Sequence, residues 1–523
     1  MILITSAAYV EREFQIEFGP LPPAFLPVGN LRLFELQIDA LRAAFPDERV
    51  VLTVPVSSNI NSRDSSLLDS LDIEVIRQQE GIALGRSVQL SVEDKIKGDC
   101  NLRILHGDTL ITDISKEFNS IGLGTCDDSH SWEIDDQNAT NDLVWCGYFS
   151  FRYPKEFMEC ISSSGGDFVG AVRCYDAKFK LTRSVYTNWF DFGHISTYFQ
   201  SRSKLTTQRS FNSLQMSKGS VVKSGMPLAK IKAEYGWFKN LNDELLVYAP
   251  QLTRKKFGSK NLDSYQIEYL PLPPLNEVFV HGRNGERYWE KIFSRLDEFL
   301  TICQQQPIPP SLVDDLTGNA QKLVLDKTIS RLSEFSVKNP TIDLKGKNKL
   351  NGIFLPSVYQ IVDDCCSRIS FHDCVFGVSH GDLCLSNILF DSRTQRIKVI
   401  DPRGLDFFGA ESIFGDLRYD LAKLTHSILG LYDHIIAGAY KLSIERSKAH
   451  TAFDFEIHND EAASSIQSLY RSKTFLSGIS YKDVMPQTIL LFFSMLPLHS
   501  DNPDRQMAFF ANALRLYSEM ILE

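Results

Sequence analysis

The chain has 523 residues, 43% hydrophobic and 23% charged, which excludes a disordered protein and is too long for one ordinary core. Its formal net charge of -10 excludes a general nucleic-acid binder, because no overall basic field draws in phosphate backbones. Ten cysteines without a C-x-x-C pair make no disulfide framework, so free thiols in a reducing cytoplasm are expected.

Met1–Val10 is apolar but lacks a basic flank and soon meets Glu11-Arg12-Glu13, so neither a signal peptide nor a membrane span is expected. Ile2–Thr5 reads as a buried first strand running into the small residues Ser6-Ala7-Ala8. Prolines exclude regular structure as far as Pro27, after which Leu33–Phe45 has the apolar spacing of a helix. Val50–Val54 and Ile73–Ile76 are further strands, and this order predicts a parallel sheet with crossover helices. Leu102–Gly107 reads as a strand ending at Asp108, the position where open α/β sheets bind ligands. Trp189–Gly193 sets Asp191 just before a helix, Ile195–Gln200. Taken singly, each aspartate is a turn or cap residue; together they can share a magnesium ion bound to nucleotide phosphates.

The order of these segments resembles the sugar-phosphate nucleotidyltransferase family over about Met1–Ser203. The matching stretches are Ser6-Ala7-Ala8, Pro22–Val28, Ile82–Gly85, Gly107-Asp108, Trp145–Phe151 and Trp189–Gly193. The resemblance implies a Rossmann-like domain in which Asp108 and Asp191 are metal ligands. The family's G-x-G-x-R phosphate loop corresponds here to Tyr9–Phe18, which has no glycine and carries three glutamates against one arginine. The family's lysine beside the first proline is Pro23. Two cationic contacts are thereby lost, for which Arg12, Arg32 and Arg86 are the available substitutes.

Ser201–Ser213 is polar and marks the boundary between halves. Ser210–Ser224 reads as two short strands joined near Lys218-Gly219, with Lys223 after Val221-Val222. Leu228–Leu241 is a helix, and Glu234 on it can pair with Lys223. Tyr265–Leu270 is a strand ended by prolines. Trp289–Cys303, Ala320–Phe335 and Ser357–Ser370 carry helical patterns.

The strongest chemical signal is Ser379–Gly404. Asp382 follows His380-Gly381, Asn387 lies five residues on, and Asp401 closes the apolar run Ile397–Ile400. Phosphoryl transfer from a nucleotide needs one carboxylate for the attacking hydroxyl, and a second carboxylate with an amide oxygen for magnesium. This stretch resembles the H-G-D-x-x-x-x-N and I-D motifs of the aminoglycoside phosphotransferase and choline kinase family, and the likeness spans about Thr206–Glu523. It implies Asp382 as catalytic residue, Asn387 and Asp401 as metal ligands, and Lys223, pinned by Glu234, on the ATP phosphates. The backbone from Glu268 to Leu270 would meet the adenine. His380 is expected to bond the loop backbone. Gly415–Lys423 resembles the family's G-D-x-x-Y-D-L-A element, with Asp416 steadying the loop and Asp420 capping or pairing structurally.

The expected fold is α/β, with a Rossmann-like mixed-sheet domain over 1–205 and a two-lobed kinase-like domain over 206–523, its small lobe ending near 275. The pairing implies a bifunctional enzyme. It would phosphorylate a sugar, polyol or amino alcohol with ATP and Mg2+, then couple the product to CTP, GTP or UTP for bacterial capsule or surface polysaccharide. The alternative is a kinase whose first domain only binds or scaffolds. Expected partners are the small-molecule hydroxyl substrate and nucleotides, with a second copy of the chain left open, in the cytoplasm.

Overall fold

A computed structural model describes residues 1–95, 101–126, 132–135, 143–205, 208–209, 212–217, 219–256, 264–447 and 450–522. The chain divides into two compact units, one of Met1–Thr206 with His281–Arg283, the other of Thr207–Val280 with Asn284–Glu523. The short return of 281–283 to the first unit has no signal in the sequence.

The first unit is built on a seven-stranded sheet. Its spatial order is Thr182–Val185, Ser120–Thr125, Leu143–Phe151, Leu102–His106, Ile2–Thr5, Val50–Pro55 and Ile73–Gln78. Ile2–Thr5 runs parallel to both of its neighbours, whereas Leu143–Phe151 is antiparallel to both of its own, so the sheet is mixed. Every residue of Ile2–Thr5 and Val50–Pro55 is buried, as strands covered on both faces must be. The chain leaves Ile2–Thr5 toward one side of the sheet and later returns to its other side as Leu102–His106. The carboxyl ends of these two strands therefore flank a topological switch point, where crevices in α/β sheets form.

The helix Leu33–Ala44 forms where apolar spacing predicts it and buries Leu33, Phe34, Ile38 and Leu41. Arg32 at its start is fully buried, its Nη2 2.7 Å from Asp64 Oδ2 and its Nη1 donating to the Phe25 carbonyl. Burial would raise the Asp64 carboxyl, but Arg32 pulls it below the ordinary range. Tyr9–Phe18, read as a loop by resemblance, holds a helix, Arg12–Phe18. Phe14 and Phe18, one turn apart, are buried there against the ring of Tyr198.

The second unit opens with a five-stranded antiparallel sheet in the order 208–209, 212–217, 220–225, 264–268, 252–256, followed by the helix Leu228–Lys239. Lys218, placed by sequence at the hairpin turn, lies outside the described residues. The remainder is mainly helical. Leu417–Ile428 and Tyr481–Met495 are buried along most of their length, and Val313–Lys338 is tied to Tyr481–Met495 by Thr328 and Arg331. Ser357 caps Val358–Arg368 with Gln360 in a capping box. A four-stranded sheet, in the order 353–355, 347–350, 450–457, 440–446, was not anticipated. Among the described residues no helix is long and apolar enough to cross a membrane, and the described cysteines are free thiols.

Breaking the Arg32–Asp64 pair leaves a buried charge behind. Arg32→Met should lower the stability of the first unit by about 3–5 kcal/mol in urea unfolding at pH 7. Asp64 titrates lower folded than unfolded, so its contribution is complete above about pH 4 and fades as pH falls through the depressed folded value. A loss that is small, or that grows toward acid pH, would contradict this role.

Candidate functional site

The hairpin Ile388–Asp391 and Arg396–Val399 sets the geometry of the second unit's site. Its register pairs Ile388 with Val399, and the Ile400 N–H donates to the Asn387 carbonyl at 2.9 Å. Asn387 and Asp401, fourteen positions apart, thus emerge side by side at the open end of the hairpin. Asp401 has φ 57°, a left-handed conformation costly for a residue with a Cβ.

The loop that carries Asp382 is held from behind. The buried Asp420 carboxylate accepts hydrogen bonds from Ser379 Oγ, the His380 N–H and the Gly381 N–H, at 2.9, 2.9 and 2.7 Å. Burial raises Asp420 to about 7 against these donors. Gly381 has φ 73°, and a Cβ there would sit 2.7 Å from the Cβ of Arg403. His380 is buried and held neutral, its pKa brought to about 4 by burial, and its Nε2 lies 2.9 Å from the Ile400 carbonyl. It is a structural link between loop and strand. The loop-steadying role expected of Asp416 belongs instead to Asp420. Asp416 caps the helix Leu417–Ile428, accepting from the Val375 N–H and holding Arg418 at 2.9 Å.

Asp382 presents its carboxylate with 42% of the side chain exposed. Lys423 Nζ lies 2.9 Å from its Oδ1, and Asn387 Nδ2 donates to its Oδ2 at 3.2 Å. Burial would raise the carboxyl, but the Lys423 ammonium pulls it to about 2. Asn387 also donates to the Asp382 carbonyl, which orients its amide.

Lys223 and Tyr265 are directly opposite in the antiparallel sheet, so both side chains reach Glu234. Lys223 Nζ is 2.7 Å from Glu234 Oε2 and 2.9 Å from Asp401 Oδ1, and the Tyr265 hydroxyl donates to Glu234 at 2.9 Å. Burial works against the ammonium, yet Asp401 and then Glu234 raise Lys223 above its ordinary value. A cavity of about 510 Å³ is lined by Lys223, Glu234, Asp382, Asn387 and Asp401 together. Glu268 and Leu270 do not line it. The Glu268 N–H is used by the Gln251 carbonyl, and the Leu270 carbonyl accepts from Leu272.

Sequence reasoning gave no role to four other lining residues, Lys423, Lys327, Arg331 and Arg403. Lys423 and Arg403 sit in stretches quoted for their motifs, three residues after Asp420 and two after Asp401; Lys327 and Arg331 carried no signal. An amide oxygen and a carboxylate are hard donors of the kind magnesium takes alongside substrate phosphates, so Asn387 and Asp401 fit such an ion.

In the first unit, Asp108 and Asp191 come together. Asp191 pairs with Thr109 across a two-stranded ladder, and the Phe192 N–H donates to the Asp108 carbonyl at 2.8 Å. A Cβ on Gly193 would fall 2.9 Å from Asp108 Oδ2 and 3.3 Å from Asp191 Oδ1, so only glycine fits between the carboxylates. Burial, then Asp191, raises Asp108 to about 6. Thr197 Oγ1 donates to Asp191, and His194 Nδ1 lies 3.4 Å from it. Two adjacent carboxylates with this mutual penalty suit a hard cation, again in the donor set that magnesium takes. Of the substitute cations, Arg32 is committed to Asp64, Arg86 is exposed and donates to Gln89, and Arg12 is exposed on its helix.

No protein-family model matches the chain, and no curated protein does. Among solved structures, the nucleoside-diphosphate-sugar pyrophosphorylase from Vibrio cholerae RC9 is 14% identical with a TM-score of 0.31, covering 39% of this chain and 99% of its own. The inositol-1-phosphate CTP transferase from T. maritima is 15% identical with a TM-score of 0.29, covering 39% of this chain and 95% of its own. An aminoglycoside-3'-phosphotransferase of type VIII is 13% identical with a TM-score of 0.29, covering 60% of this chain and 92% of its own. The chain is thus similar to nucleotidyltransferase structures over its N-terminal part and to an aminoglycoside phosphotransferase over a larger share.

Because Lys423 supplies the charge that depresses Asp382, Lys423→Gln should raise the Asp382 pKa by about one unit or more. Carboxyl NMR of aspartate-labelled protein, with Asp382→Asn for assignment, reads this directly. An unmoved titration would assign the depression to another group.

Proposed function

We propose that the second unit transfers the γ-phosphoryl group of ATP to a small-molecule hydroxyl, and that the first unit couples the resulting phosphate to a nucleotide. The carrying observation is the single cavity wall shared by Lys223, Asp382, Asn387 and Asp401, residues from distant parts of the sequence. In this reading Asp382 accepts a hydrogen bond from the acceptor hydroxyl and takes its proton as the oxygen attacks phosphorus and the bond to ADP breaks. Lys423 keeps Asp382 ionised and directs its other oxygen. Lys223, oriented by Glu234, faces the α- and β-phosphates. Asn387 and Asp401 would hold magnesium, which when bound offsets the charge of the transferring phosphates.

The Asp108–Asp191 pair supports the second step, with both carboxylates as metal ligands for CTP, GTP or UTP. The product would be an activated precursor of the kind used for bacterial surface polysaccharide. A second reading, nucleotide binding without transfer, is favoured by the helix Arg12–Phe18 and by the commitment of Arg32 to Asp64.

Asp382→Asn should reduce acceptor-dependent ADP formation by about 10²–10⁴-fold while ATP affinity in calorimetry changes little. Retained turnover would remove Asp382 from the chemistry. Pyrophosphate release, tested with each nucleoside triphosphate and the kinase product, should be abolished by Asp108→Asn or Asp191→Asn. Nucleotide binding without release in the wild-type protein would establish the second reading.

A further inference from the structure

The kinase cavity holds more positive charge than ATP chemistry requires. Six cationic side chains line it, against the three carboxylates Glu234, Asp382 and Asp401. Lys223 is held by Glu234 and Asp401, Lys423 by Asp382, and the exposed Lys230 lies 3.9 Å from Glu234. Lys327, Arg331 and Arg403 make no ion pair with a carboxylate among the described residues, although Asp382 feels Lys327 and Glu334 acts on Arg331 at longer range.

Lys327 and Arg331 stand one turn apart on the helix Val313–Lys338, so they present one face. Lys327 Nζ donates to the Tyr419 hydroxyl at 3.5 Å, and Arg331 donates from Nη1 to the Ser494 carbonyl at 2.9 Å. Among the described residues the Arg403 side chain makes one long hydrogen bond, 3.4 Å, to the Asp406 carbonyl, and its Nη1 is buried with no hydrogen-bond partner. Burial and then the neighbouring Arg403, Arg331 and Lys423 bring Lys327 down to about 8, with Tyr419 acting the other way. Burial would push the Tyr419 phenol up, yet Lys327, Lys423 and Arg403 pull it below its ordinary range. The two histidines of the wall add no charge, since burial lowers His426 well below its ordinary value and His499 to about 4. Like charges converging on one wall repel, and an anion is what relieves them.

We infer that the phosphate acceptor itself carries an anionic group, a carboxylate or a phosphoryl, held by Lys327, Arg331 and Arg403 while its hydroxyl faces Asp382. A planar guanidinium and a flexible ammonium suit either anion. A polycationic acceptor is excluded by the same wall. This rests on the kinase reading of the cavity, and two separate readouts keep the two ideas apart.

The first readout needs no turnover. Inorganic phosphate, compared with chloride at equal ionic strength, should raise the unfolding temperature of the full chain. Lys327→Met with Arg331→Met should lose most of that gain, whereas Lys223→Met should keep it. An equal gain in the wild-type and doubly substituted proteins would overturn the inference, even if the protein proves to be a kinase.

The second readout is ADP formation with glycerate and glycerol 3-phosphate beside glycerol, free hexoses and choline. Anionic acceptors should be preferred, and the choice between the first two tells carboxylate from phosphoryl. The double substitution should raise the acceptor KM by about tenfold or more, leaving the KM for ATP unchanged, and Lys327→Arg should restore part of it. Better turnover of a neutral or cationic acceptor would overturn the inference, as would an effect confined to ATP. ADP formation with none of them, alongside the phosphate effect above, would count against the kinase reading and leave the anion site standing.

Discussion

The second unit depends on one buried carboxylate. Asp420 gathers a hydroxyl and two successive backbone N–H groups from Ser379, His380 and Gly381. Without that acceptor three donors in the loop would lose their partner at a depth where each costs about 1–3 kcal/mol. The clasp fixes the backbone immediately before Asp382, and His380 ties the same turn to the strand end beside Asp401. Trp237 adds a third tether, its indole N–H donating to the Ser379 carbonyl at 2.9 Å. The side chain that would do chemistry thus stands on a loop with little freedom, as a preorganised site requires.

Much of this was legible in the sequence, for identifiable reasons. Local rules found the helix Leu33–Ala44 and the helix over Val358–Arg368, because both depend on neighbours within one or two turns. The spacing of Asp382, Asn387 and Asp401 was readable because one hairpin joins them. The helix Arg12–Phe18 was missed although Phe14 and Phe18 stand at helical spacing, because a resemblance to a loop displaced that local signal. The strands Tyr440–Arg446 and His450–Ile457 alternate inner and outer residues at Leu442, Ile444, Phe453 and Phe455, and that pattern was equally available. Lys327 and Arg331 were not legible at all. Their place on the cavity wall comes from the packing of Val313–Lys338 against Tyr481–Met495, and no short-range pattern encodes it.

Charge is distributed against the average of the chain. The whole protein is acidic by ten charges, yet the cavity around Asp382 has a surplus of cations. Such a surplus is unfavourable in isolation and is retained only where the structure can tolerate it, so it speaks to ligand more strongly than net charge does. Lys423 shows the distinction well. Its charge is matched by Asp382, and the pair is a working unit of the site.

The first unit presents the reverse balance. Asp108 and Asp191 meet across Gly193 at the switch point of the sheet, and the stretch that follows the first strand is a glycine-free helix rather than a glycine-lined cradle. The hydrogen bond to Asp191 raises the His194 imidazole above its ordinary value against burial, with smaller help from Glu11 at the start of that helix and from Asp108. A triphosphate entering such a crevice would meet two carboxylates able to share a cation. Of the three arginines that the sequence offered as substitutes, Arg32 is consumed by Asp64 in the core. The second unit differs in that its cavity wall carries Lys223 and Lys423, each set against a carboxylate.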